Sequence, residues 1–333
     1  MTDTIRPGGL WVYCERGREG IRPVAFELLG QAARLARAMN SAVTAVLVGG
    51  AAEATALGRY GADAALCVDC DWPDELAQTD ELAALVTKYQ PEALLIGATA
   101  FGRSLAPRLA ARLSTGLTAD CTSLAIDPDT GLLLQTRPAF GGNLMATIVC
   151  PDRRPQMATV RPKVFPVPLP DETRLCPVIT ERPVSSGGAV ELIQRIAAGS
   201  EINIGDADVL VSVGQGIGGA ENIALAEALA KRLGGTLSAS RPLVDAGVLP
   251  YARQVGQTGK TVSPRLYIAL GISGAIQHLA GVAAQTIVAV NTDPDAPIFQ
   301  YAHYAVRCDC GAFLREALEA LRNGELGMGN GEF

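Results

Sequence analysis

Residues 207–219 read ADVLVSVGQGIGG, an apolar strand that runs straight into a glycine-rich turn. Residues 220–235, AENIALAEALAKRLGG, continue with apolar positions at helical spacing and stop at Gly234 and Gly235, where glycine accepts the left-handed backbone that ends a helix. Strand, tight turn and helix make one unit of a parallel, doubly wound sheet. The pattern carries on downstream. TLSAS (236–240), RLYIALGI (265–272), TIVAVN (286–291) and YAVRCD (304–309) read as strands, and GAFLREALEALRNG (311–324) as the last helix. Five strands with crossovers predict a domain of the nucleotide-binding type, with a frayed tail over 325–333.

The same alternation fills the first half. GLWVYCE (9–15), AVTAVLVGG (42–50), AALCVD (64–69) and EALLIGAT (92–99) read as strands. Residues 23–40 form a helix with Arg34 and Arg37 on its wet side. TDELAALVTKYQ (79–90) is a helix opened by a Thr or Asp cap, and RSLAPRLAARLS (103–114) is another. Over 122–165 the rhythm changes. An Asp-Pro-Asp-Thr-Gly turn and period-2 stretches, including QMATV (156–160), predict antiparallel strands closing the domain. Residues 166–188 are proline-rich with little periodicity and read as a semi-extended connector. The expected organisation is an α/β chain of two doubly wound domains: 1–165 with a parallel sheet and added antiparallel strands, a linker over 166–188, and 189–333 with a second parallel sheet.

At 333 residues, 48% hydrophobic and 19% charged, the chain can bury a large core. The net charge of −6 speaks against a general nucleic-acid role, because phosphate binding wants a basic face. No signal-peptide pattern and no membrane-length apolar run are visible, so a cytoplasmic protein with no transmembrane segment is expected. Of the eight cysteines, Cys67 and Cys70 have CxxC spacing, but no second pair accompanies them and no metal is expected. Ordinary buried or edge thiols account for all eight.

Three short motifs come close to known chemistry. Gly214, Gly216 and Gly219 satisfy GxGxxG between a strand and a helix, which suits a pyrophosphate. A nicotinamide dinucleotide also wants an acidic residue ~20 positions on, where this chain has Ser240 and Arg241. A bare tight turn would look the same. GQTGKT (256–261) resembles a phosphate loop, but Gln254 stands where its first glycine belongs and Pro264 interrupts the helix that should follow. GISGA (271–275) resembles a nucleophile elbow with Ala275 for its last glycine, and His278 is too near Ser273 to serve as its base. What remains is a set of strand-end residues: Ser240, Arg241, Gln257, Thr258, Ser273, Gln277, His278 and Asn291. Strand C-termini converge on one crevice in a doubly wound sheet. Many neutral donors, one cation and one imidazole suit a polar heteroaromatic ring with a pyrophosphate, such as a flavin dinucleotide. For His278 a half-buried structural role stays open, and for Arg241 a surface ion pair with Asp245.

QVGQTGKTVSPRLYIALGISGAIQHLAG (254–281), followed by TIVAVNTDPDAPIFQYAHYAVRCD (286–309), closely resembles the alpha subunit of electron transfer flavoproteins. The likeness is nearly gap-free over 240–309, and the N-terminal half resembles the family's first domain more loosely. The resemblance implies one FAD in the C-terminal domain. It would place Arg241 over the isoalloxazine and Thr258 near the flavin N5, with Gln257, Gly256 and Val255 beside it. Ser240 and the run Ser273, Gly274, Ala275, Ile276, Gln277, His278 would line the ring and pyrophosphate. His278 would stabilise the anionic semiquinone, and Asn291 and Asp309 would hold the ribityl–adenosine side. Gln215 stands where the family often has a basic residue, which changes the charge of that loop. The resemblance also implies a heterodimer with a beta subunit that carries AMP or a second FAD. The redox partners it implies are an acyl-CoA dehydrogenase, a quinone oxidoreductase or a ferredoxin or flavodoxin. TRPAFGGNLMATIVCPDRRPQMATVRPKVF (136–165) is closer to the bifurcating or nitrogen-fixation-associated type. From the residues alone, an NAD-dependent oxidoreductase using GxGxxG and a non-catalytic nucleotide-binding scaffold remain the competing readings.

Overall fold

A computed structural model describes residues 8–17, 20–70, 74–139, 144–184, 190, 193–194, 203–205 and 207–323. The expected tail over 325–333 lies outside them. The chain divides into two compact units, residues 1–196 and 197–333.

The first unit contains, in order, β1 (Leu10–Tyr13), the short hairpin β2 (Arg16–Gly17) and β3 (Gly20–Ile21), α1 (Pro23–Ala38), β4 (Val43–Val48), α2 (Ala51–Ala54), β5 (Ala64–Val68), α3 (Glu75–Tyr89), β6 (Ala93–Gly97) and α4 (Ala100–Leu113). There follow β7 (Leu117–Cys121), β8 (Ser123–Ile126), β9 (Leu133–Ala139), β10 (Leu144–Ile148), β11 (Gln156–Val160) and β12 (Val178–Glu181). Seven strands make one parallel sheet in the order β12-β5-β4-β1-β6-β11-β7. Its strands β1, β4, β5 and β6 are near-continuous apolar runs, buried at every position, because helices cover both faces. Leu10, Val12, Leu28 and Leu29 pack on one side, and Trp11, Leu94, Ile96 and Leu105 on the other. Each fully buried leucine contributes ~2 kcal/mol by leaving water.

Pro23 presets the first turn of α1. α3 starts earlier than the expected Thr79 or Asp80 cap: the Asp74 carboxylate accepts from Leu76 N–H (3.0 Å) and Ala77 N–H (2.9 Å), and Thr79 sits inside the helix. α4 likewise begins at Ala100, where Thr99 Oγ1 accepts from Gly102 N–H at 2.9 Å.

Two expectations for this unit need correction. Strands β8, β9 and β10 do form a separate antiparallel sheet, with Ser123 opposite Thr136 and Thr136 opposite Thr147. QMATV does not join it. As β11 it lies parallel between β6 and β7, buried at all five positions. Its polar residues, which mimic a half-wet strand, are satisfied inside: Gln156 Oε1 accepts from Leu133 N–H and Thr159 Oγ1 from Asp120 N–H, both at 2.9 Å. The connector over 166–188 also contains a strand, β12, which extends the sheet by pairing Val178 with Ala65.

The second unit is built from β13 (Val209–Val213), α5 (Ala220–Arg232), β14 (Thr236–Ala239), α6 (Arg241–Asp245), β15 (Leu266–Leu270), α7 (Ile276–Leu279), β16 (Thr286–Asn291), β17 (Tyr304–Arg307) and α8 (Cys310–Asn323). Its five strands are all parallel, in the order β14-β13-β15-β16-β17. The strand order reverses between β13 and β15, so the crevice at their C-terminal ends is the topological switch point.

The eight cysteines are free thiols. Burial pushes Cys67 up to about 11 and Cys121 to about 12, so neither is a ready nucleophile. Iodoacetamide at mildly alkaline pH is expected to modify Cys70, Cys150 and Cys308 well before the five buried cysteines. Fast labelling of Cys67 or Cys121 in native protein, seen by peptide mass spectrometry, would contradict their burial. Among the described residues no group of three or more His, Cys, Asp or Glu could hold a metal, and no helix is long and apolar enough to cross a membrane.

Candidate functional site

A cavity of about 630 Å³ opens at the switch point of the second sheet. That volume lies in the range of small-molecule and cofactor clefts. Four loops build it.

The first and third loops are locked backbone to backbone. Gly214 N–H donates to Leu270 C=O (2.8 Å), Gly216 N–H to Gly271 C=O (3.0 Å), and Gly271 N–H to Val290 C=O (2.9 Å). A Cβ at Gly214 would lie 2.3 Å from the Gly271 oxygen, and one at Gly271 would lie 2.3 Å from the Gly216 carbonyl carbon. The glycine pattern after β13 therefore secures close contact between two loops.

The second loop follows β14. Ser240 precedes α6 and is buried, yet its hydroxyl makes no capping bond. Arg241 opens α6 and pairs with Asp245 (Nε–Oδ2 3.1 Å), the ion pair their spacing allows. Both side chains are more than 60% exposed, so the pair contributes under ~1 kcal/mol and leaves the guanidinium available. Further on, the resembled phosphate loop is instead a closed turn. Gly256 N–H donates to Lys260 C=O (3.2 Å) and Lys260 N–H to Gln254 C=O (2.8 Å). Gln254 Nε2 donates to Thr258 Oγ1 (3.1 Å), and Tyr251 Oη to Thr258 C=O (2.7 Å), which fixes Thr258 at the rim. Gln257 N–H donates to Gln277 C=O (2.7 Å), tying this turn to the loop after β15.

Beyond β15, Ser273 lies in the loop and not on a helix; α7 is only four residues long. His278 is buried, with Nε2 2.8 Å from Tyr267 Oη and with Nδ1 lacking a hydrogen-bond partner. Burial lowers its pKa to about 4; the Val255 backbone works the other way without reaching hydrogen-bond geometry at Nδ1. The ring is neutral at physiological pH. In the last loop, Asn291 Nδ2 donates to Ile272 C=O and its Oδ1 accepts from Asp293 N–H, both at 3.0 Å.

The cavity thus gathers Gln215, Ser240, Arg241, Val255, Gly256, Gln257 and Thr258, together with Ser273, Ala275, Gln277, His278 and Asn291. Gly274, Ile276 and Asp309 are not in its lining. Gly274, at φ +90°, packs against the Ile298 backbone, and Ile276 turns outward at 54% exposure. Asp309 starts α8, its carboxylate accepting from Ala312 N–H at 3.0 Å. The lining also holds Gly216 of the GxGxxG pattern, Gln254 and Gly271 of the two other near-motifs, and Pro242, Ile272 and Asp293, which no motif marked. Gln254 carried a signal, being a polar residue that must find a partner in a tight glycine turn. Arg241 and Asp293 are the charged members of the lining; the rest is neutral. An uncommitted Ser240 hydroxyl, exposed glutamines and one available guanidinium around a cavity this size fit a polar, uncharged ring with an anionic tail.

The electron transfer flavoprotein domain family matches residues 10–185, and the electron transfer flavoprotein FAD-binding domain family matches residues 203–283. An electron transfer flavoprotein subunit alpha from Thermoanaerobacterium thermosaccharolyticum is 47% identical over 94% of this chain and 97% of its own length. A protein FixB from Clostridium saccharobutylicum is 43% identical, covering 93% of this chain and 95% of its own length. An acryloyl-CoA reductase electron transfer subunit beta from Anaerotignum propionicum is 40% identical, covering 95% and 96%. The chain belongs to the electron transfer flavoprotein family, on the alpha-subunit side, whose members are electron carriers.

Proposed function

We propose that this chain binds one FAD in the cleft of its second unit and works as an electron-carrying subunit paired with a beta subunit. The observation that carries the reading is the cleft at the switch point, where one cation, one carboxylate at Asp293 and one neutral imidazole flank an otherwise uncharged, hydrogen-bonding wall. Bound there, the flavin supplies the electron chemistry. Arg241 brings positive charge to the rim, held only by an exposed ion pair that a ligand can replace. Gln254 and Tyr251 orient Thr258 so that it meets the ligand in one position. His278 offers a rigid, desolvated ring at the cleft wall.

The beta subunit would hold AMP in an ordinary carrier, or a second FAD in a bifurcating one. The FixB and acryloyl-CoA reductase names among the relatives favour electron delivery in the bifurcating or nitrogen-fixation-associated manner. An acyl-CoA dehydrogenase, a quinone oxidoreductase, or a ferredoxin or flavodoxin would exchange electrons with the pair, in the cytoplasm.

Co-purification with the beta subunit tests this. A yellow complex releasing FAD on denaturation is expected; one flavin per pair marks the ordinary carrier and two the bifurcating one. A colourless complex would overturn the reading. In Arg241→Ala the first-electron potential is expected to fall by tens of millivolts, ~59 mV for each tenfold lost in affinity for the reduced over the oxidised form. An unchanged reductive titration would remove Arg241 from this role.

A further inference from the structure

The chain has two histidines, His278 and His303, and their ring nitrogens meet different partners. His303 Nδ1 accepts the Ile287 N–H at 3.1 Å, so its proton must sit on Nε2. His278 makes its contact through the other nitrogen. Its Nε2 lies 2.8 Å from the hydroxyl of Tyr267, a residue on β15 with no exposure at all. A buried hydroxyl needs an acceptor for its proton, because leaving it unmade costs ~1–3 kcal/mol. Against the effect of burial, the Ser212 hydroxyl lowers the Tyr267 phenol, the effect of a hydroxyl turned to donate toward the phenol oxygen, and Ser212 Oγ accepts no hydrogen bond of good geometry. The acceptor in hydrogen-bond geometry with Tyr267 is the imidazole nitrogen.

We propose that Tyr267 is a positioning residue, donating its phenol proton to His278 Nε2 and thereby holding the neutral ring in the single tautomer that carries its hydrogen on Nδ1. Two further observations agree. The Val255 backbone favours a proton on this ring, the effect of a nearby carbonyl. Burial raises the Tyr267 phenol far above its ordinary range, so the proton stays on oxygen and remains available to donate.

The arrangement has a consequence for the cleft wall. The phenol can donate to neutral imidazole or, after turning its hydroxyl, accept from an imidazolium. A negative charge arriving in the cleft would favour a second proton on His278, and Tyr267 can follow that change without leaving either polar group unpaired. The ring is then held in one place in both protonation states. The proposal concerns residues of this chain alone and holds whether or not a flavin fills the cleft, so it can fail while the flavin reading stands, and the reverse.

The test is nitrogen-15 NMR of the full-length chain labelled at histidine, as purified and at neutral pH. Couplings between ring protons and ring nitrogens distinguish the two tautomers, and His303 serves as an internal reference of the opposite kind. The expected spectrum has one Nε2–H ring and one Nδ1–H ring. In Tyr267→Phe the His303 pattern should stay unchanged, which reports an intact fold, while His278 spreads over both tautomers or protonates more readily. An Nε2–H or fully protonated His278 in the wild type would overturn the proposal, and that measurement decides even if the variant fails to fold. An unchanged His278 tautomer in a folded Tyr267→Phe variant would also overturn it.

Discussion

Replacing Gly271 with alanine is expected to destabilise the second unit strongly and to empty the cleft. Two costs combine. Gly271 has φ +62°, where an L side chain costs ~1–2 kcal/mol. Its added Cβ would also sit 2.3 Å from the Gly216 carbonyl carbon and 2.6 Å from the Ile217 nitrogen, both backbone atoms with nowhere to go. Separating the loops would break the Gly216-to-Gly271 hydrogen bond and shift Gln215 relative to Ser273. Overpacking of this kind adds ~1–3 kcal/mol. Gly247 is the control: it has φ +70°, but nothing lies within 4 Å of its Cβ position. Gly247→Ala should show the backbone cost alone. Urea unfolding followed by circular dichroism, with flavin content measured in parallel, separates the two. If both variants unfold at the same urea concentration and keep the same flavin content, the two loops are not rigidly clasped.

The same glycines show where the sequence was readable. The strands of both sheets stand out as apolar runs that stop at glycine, and a doubly wound order follows from their alternation with helices. That order alone gathers Ser240, Thr258, His278 and Asn291 at one end of a sheet, before any contact is known. β11 was misread because Gln156 and Thr159 look like a solvated face. Their partners, Leu133 N–H and Asp120 N–H, are 23 and 39 residues away, and no local pattern reveals them. β12 was hidden by its proline-rich setting, since an edge strand needs only one partner, here β5. Asp309 and Ile276 lie outside the cavity lining, Asp309 at the start of α8 and Ile276 exposed to solvent. The Tyr267–His278 pair was illegible for a different reason: tyrosine in a strand reads as core, and only the fold shows which polar atom its hydroxyl meets.

The two units should respond to pH in opposite directions. Glu27 on α1 is 4% exposed, and burial raises its carboxyl to about 7 although the Lys163 N–H donates to it at 2.7 Å. Its unfolded value is 4.5. Between these values the folded state holds a proton that the unfolded state has released, so stability falls as pH rises, by up to ~3 kcal/mol across the window. His278 is the mirror case. Its folded value is about 4 against 6.5 unfolded, so between them the unfolded state binds the extra proton and stability falls as pH drops. Residues 1–196 contain no histidine, and the lowered carboxyls Asp127, Asp171 and Glu181 shift their effects below the ordinary carboxylate values. Glu27 therefore dominates the first unit between about pH 5 and 7. Both tryptophans, Trp11 and Trp72, belong to that unit, so fluorescence follows it selectively, while hydrogen exchange in residues 266–270 follows the second. The urea midpoint by fluorescence should fall from about pH 5 to 7, and the opening free energy of residues 266–270 should fall from about pH 6.5 to 4.5. Glu27→Gln keeps an acceptor for the Lys163 N–H but cannot ionise, and should flatten only the first dependence. A fluorescence midpoint that keeps its wild-type slope in Glu27→Gln would show that another group governs the unit.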